Sequence, residues 1–179
     1  MGWYLPVVSG DGQVVVAAAI DSYTVVGNRV GRLDTASGDL IDSVATPAGT
    51  TVAGVDATGA RAIVSNLGGP ANLVDLATGD LTSVVSAPPA GTNLFVTATS
   101  PSLQYVTVLT STTGGRQTLD RVEVASHARR RLQSGRFDGG TTWTSGTPFE
   151  APGSITDAGL TVLRVVPSGA THSQVVAQG

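Results

Sequence analysis

Several residue types are missing or scarce in the 179-residue chain, and each absence removes a class of function. There is no cysteine, which excludes disulfides, thiolate metal sites and a cysteine nucleophile. There is no lysine, so all 10 basic residues are arginines and a lysine-dependent phosphate loop is excluded. No apolar run approaches the roughly 18 residues of a transmembrane helix, which predicts that the chain has no membrane span.

Charge is also sparse, at 13% of residues, and the formal net charge is −3. A mildly acidic chain is not drawn to phosphate backbones, so we expect no nucleic-acid partner. The apolar fraction of 41% is too high for intrinsic disorder. Valine and threonine are abundant and suit a pleated, half-buried surface, which favours strands. The same bias is typical of GC-rich coding, and we expect an extracytoplasmic or cell-surface location in such a bacterium rather than a cytoplasmic one.

A repeat of about 41 residues runs through the first half of the chain. Residues 34–40 (DTASGDL) recur as residues 75–81 (DLATGDL), with a weaker copy at residues 123–127 (EVASH). A second marker, PAGT, occurs at residues 47–50 and again at residues 89–92. Two independent markers with nearly the same period indicate a repeat architecture.

Tight turns give a third marker, because each is followed at once by a short apolar run. The turns lie at residues 9–12, 56–59, 100–102 and 156–159, and the runs at residues 13–20, 61–65, 103–109 and 160–166. The turn residues are Asp, Gly, Ser and Pro, and we expect Gly59 to take a positive φ. Residues 51–92 show the full unit as strands at 51–55, 61–65, 71–76 and 81–86. Four short antiparallel strands every 40 to 50 residues are typical of a β-propeller blade.

The segment 56–66 (DATGARAIVSN), followed by residues 72–79 (NLVDLATG), resembles the repeat of YVTN-type and related WD40-like bacterial β-propellers. The resemblance is good over residues 51–92, fair over 7–50 and 93–135, and weak after residue 136. It implies an all-β, propeller-like fold of about four blades, or a segment of a larger propeller. The family includes sugar-lactone hydrolases, surface-layer proteins and protein-binding modules, so the resemblance implies architecture rather than activity.

We therefore expect one domain over residues 1–179. The predicted blades span about 3–46, 51–86, 93–135 and 151–179, with three strands in the last and an insertion at residues 136–150. An alternative for residues 124–132 is a helix, because Val124, Ala128 and Leu132 fall at a helical spacing. Alignment with the clearer repeats favours strand, turn and strand there.

Few residues form a pattern that carries chemistry. Asp34 and Asp75 open repeat turns, where a carboxylate can accept backbone N–H groups. His127 stands where the repeats have Gly38 and Gly79, which predicts a solvated turn residue, and His172 is predicted to be exposed. Asp11 lacks the spacing of a calcium loop. No cofactor and no metal site are expected.

Two features are candidates for partner contacts. One is the basic cluster Arg129, Arg130 and Arg131, which either binds an anionic partner or protects an edge strand from pairing. In a strand, Arg129 and Arg131 share one face. The other is the aromatic pair Trp143 and Phe149 in the insertion, pinned beneath a loop or used as contact anchors.

The sequence favours a non-catalytic binding or scaffold module that engages a protein or other ligand through its loops. One alternative is a fragment of a lactonase-like propeller hydrolase, which two histidines and two glutamates support poorly. Another is an all-β surface adhesin, which the repeat period does not fit. Because a repeat unit cannot bury its flank alone, we expect the chain either to close on itself as a four-bladed ring or to form a homo-oligomer through open blade edges, and association is favoured.

Overall fold

The computed structural model describes residues 2–22, 25–66, 68–137, 143–146, 149–165 and 174–179. Within these residues the chain forms four antiparallel sheets and no helix. In the described ranges, no helix is long and apolar enough to cross a membrane.

Each sheet is an up-and-down meander of consecutive strands. The first sheet contains β1 (Gly2–Val8), β2 (Val14–Ser22), β3 (Val25–Asp34) and β4 (Leu40–Ala45). The second contains β5 (Thr50–Val55), β6 (Arg61–Asn66), β7 (Ala71–Asp75) and β8 (Leu81–Val85). The third contains β9 (Thr92–Thr99), β10 (Tyr105–Thr112), β11 (Arg116–Glu123), β12 (Arg129–Phe137) and β13 (Trp143–Gly146). The fourth contains β14 (Phe149–Ile155), β15 (Thr161–Val165) and β16 (Gln174–Gln178).

The turn between the first two strands is built in the same way in every sheet. One residue, Ser9, Asp56, Ser100 or Thr156, closes the turn with its backbone and accepts a backbone N–H with its side-chain oxygen, over 2.9 to 3.2 Å. Gly12, Gly59 and Gly159 follow with φ between 71° and 76°, which confirms the expectation for Gly59. The third turn has Leu103 there instead, at φ 59°.

The first strand of each sheet also carries a bulge just before this turn. The register breaks at or beside Ala53 in β5, three residues before Asp56, and at corresponding places in β1, β9 and β14. A bulge strengthens the local twist of a strand. These four strands contact one another in chain order, β1 with β5, β5 with β9 and β9 with β14.

The sheets pack face to face, so the core lies between them. One apolar cluster joins the first two sheets through Val16 and Val30 on one side and Val55, Val64 and Val74 on the other. A second cluster joins the second and third sheets around Ile63, Leu103 and Val106. A third, around Leu119 and Leu132 with Val176, joins the third and fourth. Neighbouring β6 residues such as Ile63 and Val64 thus belong to different clusters.

Residues 124–132 contain a turn and the start of β12, which confirms the favoured expectation of strand, turn and strand over the alternative helix. The repeat's turn chemistry outweighs a three-residue apolar spacing there. One sequence expectation differs from the structure. The segment 136–150 is not a simple insertion, since β12 continues to Phe137 and β13 joins the third sheet as a fifth strand. The fourth sheet then begins at Phe149.

Candidate functional site

The turn between β11 and β12 is the third copy of a turn found twice before. In the earlier copies, Asp34 and Asp75 each accept two backbone N–H groups over 2.8 to 3.0 Å, which confirms their expected role. The same backbone bond closes all three turns: the N–H of Gly38, Gly79 or His127 donates to the carbonyl four residues earlier. His127 therefore occupies a glycine position and takes φ 60°.

A left-handed conformation is costly for a residue with a side chain and is worth examining for function. Here it directs the His127 ring back onto the neighbouring sheet, where Nδ1 lies 3.2 Å from the carbonyl oxygen of Val84 in β8. The expectation of a turn histidine is thus correct, and the turn residue is exposed. Its ring nevertheless spans the junction between the second and third sheets.

A groove of about 490 Å³ lies at this junction. Its apolar part is Val84 and Val85, which are almost fully buried. Its polar part comprises two hydroxyls, an imidazole and a guanidinium. The lining residues are Ser83, Val84, Val85, Ser86, His127 and Arg129. No carboxylate is among them, so the groove is locally cationic in a chain of net charge −3.

The three clustered arginines have different surroundings. Arg129 pairs in register with Val122, whose side chain belongs to the cluster shared with the second sheet, and it lines the groove. Arg131 forms a salt bridge with Asp120, a buried carboxylate that this guanidinium compensates. Arg130 lies opposite Arg121, which donates to the carbonyl of Gly159 in the fourth sheet. Of the three clustered arginines, Arg129 is the one that lines this groove.

The edge interpretation of the arginines applies to part of β12. The described pairing with β13 covers Gly135, Arg136 and Phe137, whereas Arg129 to Arg131 lie outside it. Charged side chains on an uncovered strand edge oppose pairing with another chain. Edge protection and ligand binding are therefore compatible roles for this segment.

The aromatic pair is not in a loop, as the sequence interpretation assumed. Trp143 begins β13, opposite Phe137, and Phe149 begins β14, opposite Val165. Aromatic and threonine residues favour strands, and this preference outweighs the surrounding glycines. Their proposed partner contacts stay a prediction. His172 lies outside the described residues.

The carboxylates near the turns serve structure. The N–H groups of Thr78 and Ala77 lower the pKa of Asp75 below its ordinary value of 3.8. The Ser9 hydroxyl and the Gln13 N–H do the same for the pKa of Asp11. Asp11 is thus engaged within its own turn. Among the described residues, no cluster of three metal-ligating side chains occurs.

No protein-family model matches this chain, and no curated protein matches it either. Solved structures do. The putative TolB from Agrobacterium tumefaciens superposes with a TM-score of 0.61 at 14% identity, over 98% of this chain and 57% of that one. TolB from Acinetobacter baumannii gives 0.59 at 18% identity, over 99% and 41%. An oligogalacturonate lyase in complex with manganese gives 0.56 at 12%, over 95% and 60%.

The chain has a β-propeller-like fold. Its four sheets correspond to blades, and it spans between 41% and 60% of the length of these three structures. At such identities the likeness establishes architecture alone. The groove therefore lies between the second and third blades, at their outer strands. Arg129 was predicted from the sequence as a contact residue, whereas Ser83, Val84, Val85 and Ser86 were not. His127 was predicted only as a solvated turn residue. The available signal was a histidine at a position where two repeats have glycine.

Proposed function

We propose that the protein is a non-catalytic binding module that takes an acidic segment of a protein partner in the groove between its second and third blades. The observation that carries this proposal is the cationic groove between the two blades. Arg129 offers several N–H donors to a carboxylate, and charge-assisted hydrogen bonds are the strong ones. Val84 and Val85 are almost fully buried in the core beneath the groove, so recognition rests on its polar lining residues.

The edge of β8 favours recognition through side chains. The register of β8 with β7 skips Val84, which is a bulge, and the Val84 carbonyl already faces the His127 ring. A bulged edge does not template a further strand. Recognition therefore runs through the side chains of Arg129, His127 and the two serines, rather than through strand addition.

Binding without catalysis agrees with the composition of the groove. The lining holds hydroxyls and a histidine but no carboxylate to orient that histidine as a base. Nδ1 of the ring faces the Val84 carbonyl, which fixes the ring against the second blade. In this proposal the ring and Arg129 hold the ligand and do not activate a nucleophile.

A labelled eight-residue peptide alternating Glu with Leu, titrated by fluorescence anisotropy, tests the proposal. Its Gln-for-Glu counterpart serves as the uncharged probe. We expect the acidic peptide to bind and the counterpart to bind at least about tenfold more weakly, with affinity falling as salt rises. Arg129→Glu should reduce binding about tenfold or more.

The matched control is Arg116→Glu, which makes the same charge change at an exposed position outside the groove. We expect its affinity to stay within about twofold of the wild type, because charge–charge interactions are screened over roughly 10 Å at 0.1 M salt. Equal losses in both variants would show a diffuse charge effect and contradict the proposed site. Equal binding of both peptides would contradict the proposed ligand.

A further inference from the structure

The first and last blades each expose a flank that is covered in the blades between them. In the second blade, Val55 faces the first blade and is only 8% exposed. Val8 occupies the same repeat position in the first blade, directly before the turn, and is 55% exposed. In the fourth blade the equivalent residue, Ile155, is 3% exposed. The first blade thus lacks the neighbour that the same position has elsewhere.

The turns give the same result independently. A Cβ built on Gly59 would lie 2.8 Å from the Cβ of Val14 in the preceding blade, and one on Gly159 would lie 3.3 Å from the Tyr105 ring. A Cβ on the equivalent Gly12 meets nothing within 4 Å. Apolar side chains also lie on this flank: the Trp3 ring lies over Gly31 beside Leu40, which is half exposed.

The fourth blade exposes the opposite kind of flank. Val176 packs toward the third blade with Leu119 and Leu132, so its neighbour Val175 points the other way and is 75% exposed. Leu160 closes its turn as Val14 does in the first blade, and it is 40% exposed. Val14 is the residue that the next blade's turn contacts.

We propose that the bare flank of the first blade binds the bare flank of the fourth blade in a second copy of this chain. At each of the three junctions within the chain, a flank like that of Val175 and Leu160 packs against a flank like that of Val8 and Gly12. One free flank of each kind remains, so the same junction can form between two copies. A head-to-tail contact of this kind between two copies gives two identical junctions and closes a ring. Eight blades lie within the range of about four to eight that propellers adopt.

Disulfide trapping tests the junction, since the chain has no cysteine of its own. By equivalence with the Gly59–Val14 contact, Gly12 of one copy lies against Leu160 of the other. We expect Gly12→Cys/Leu160→Cys to form a covalent dimer under mild oxidation, and each single variant to form none. An equimolar mixture of the two single variants should give a covalent heterodimer.

The internal control is Gly59→Cys/Val14→Cys, which should form a disulfide within one chain at the same repeat positions. If this control bridges while the first pair gives only unbridged monomer, the proposal is overturned. An intramolecular bridge between positions 12 and 160, at monomer mass, would overturn it as well, because the ring would then close on one chain.

Light scattering provides a second readout that does not depend on glycine replacement. We expect a dimer for the wild type, and a monomer for Val8→Asp or Val175→Asp at the same concentration, with the apparent dissociation constant raised at least about tenfold. Mixing these two variants should restore a dimer, because each retains one intact flank of the opposite type. Leu81→Asp, an exposed leucine in an internal blade, should stay dimeric. A wild type that is monomeric at every concentration would overturn the proposal.

Discussion

Individual turn residues show why a position in the repeat favours glycine. Gly59 has both a positive φ of 71° and a neighbour, Val14, within 2.8 Å of any Cβ. Gly38 has φ 76°, but a Cβ built on it would meet no atom within 4 Å. Comparing substitutions at these two glycines therefore distinguishes the cost of backbone strain from the cost of close packing between blades.

We expect Gly59→Ala to destabilise the protein by about 2–5 kcal/mol, because strain of about 1–2 kcal/mol adds to overpacking of about 1–3 kcal/mol. Gly38→Ala should cost only the strain, about 1–2 kcal/mol. Urea unfolding measures both. Equal losses in the two variants would argue against the contact between Gly59 and Val14.

A second residue-scale prediction concerns acid. Folding lowers the pKa of Asp75 below 3.8, so its ionised form stabilises the folded state. This contribution is complete above the unfolded pKa and is lost as pH falls through the folded value. We expect the wild type to lose more stability than Asp75→Asn between pH 5 and pH 3, measured by urea unfolding at each pH. Parallel pH profiles would show that the carboxylate contributes no charge-dependent stability.

At the scale of the element, the turn between β9 and β10 is the exception among four. Leu103 takes the left-handed conformation that glycine takes in the other turns, and it is 2% exposed in the cluster around Ile63 and Val106. Burial of a leucine side chain contributes more than the strain costs, which explains why the residue is tolerated.

This balance predicts an unusual order of variants at position 103. Leu103→Ala should lose about 2–5 kcal/mol, because it leaves a cavity and keeps the strain. Leu103→Gly should be about 1 kcal/mol more stable than the alanine variant, since it removes the strain as well. Thermal and urea unfolding give the order. An alanine variant that is the more stable of the two would contradict the assigned conformation.

The same elements show what the sequence could predict. Strands such as β5, β6 and β7 were located within a residue of their observed bounds, because turn residues and apolar runs mark both ends. β13 was missed because Gly139 and Gly140 precede it and no repeat marks its position. The groove was missed because it depends on His127 reaching a different blade, and one strand's pattern does not encode which blade lies beside it.

The whole molecule consists of blades whose cores share strands. Ile63 faces the third blade and Val64 the first, so β6 links two apolar clusters. Removing contacts on one side therefore weakens the shared strand for both clusters, which predicts that the first three blades unfold together.

Trp3, which packs on Gly31 of the first blade, reports on this coupling once Trp143 is replaced by phenylalanine. In that background, we expect Ile63→Ala to lower the Trp3 fluorescence midpoint and the far-ultraviolet circular dichroism midpoint equally. Its cost should be about 2–5 kcal/mol. An unchanged fluorescence midpoint would mean that the first blade unfolds independently of the damaged core.

The four equivalent first turns use different residues at the same capping position. Serine, aspartate, serine and threonine occupy the same capping position at residues 9, 56, 100 and 156, each accepting a backbone N–H. A residue found at one of these positions is therefore compatible with this capped turn and is a candidate substitution at the other three. A stabilised variant can be designed by copying residues between blades, without any related sequence as a guide.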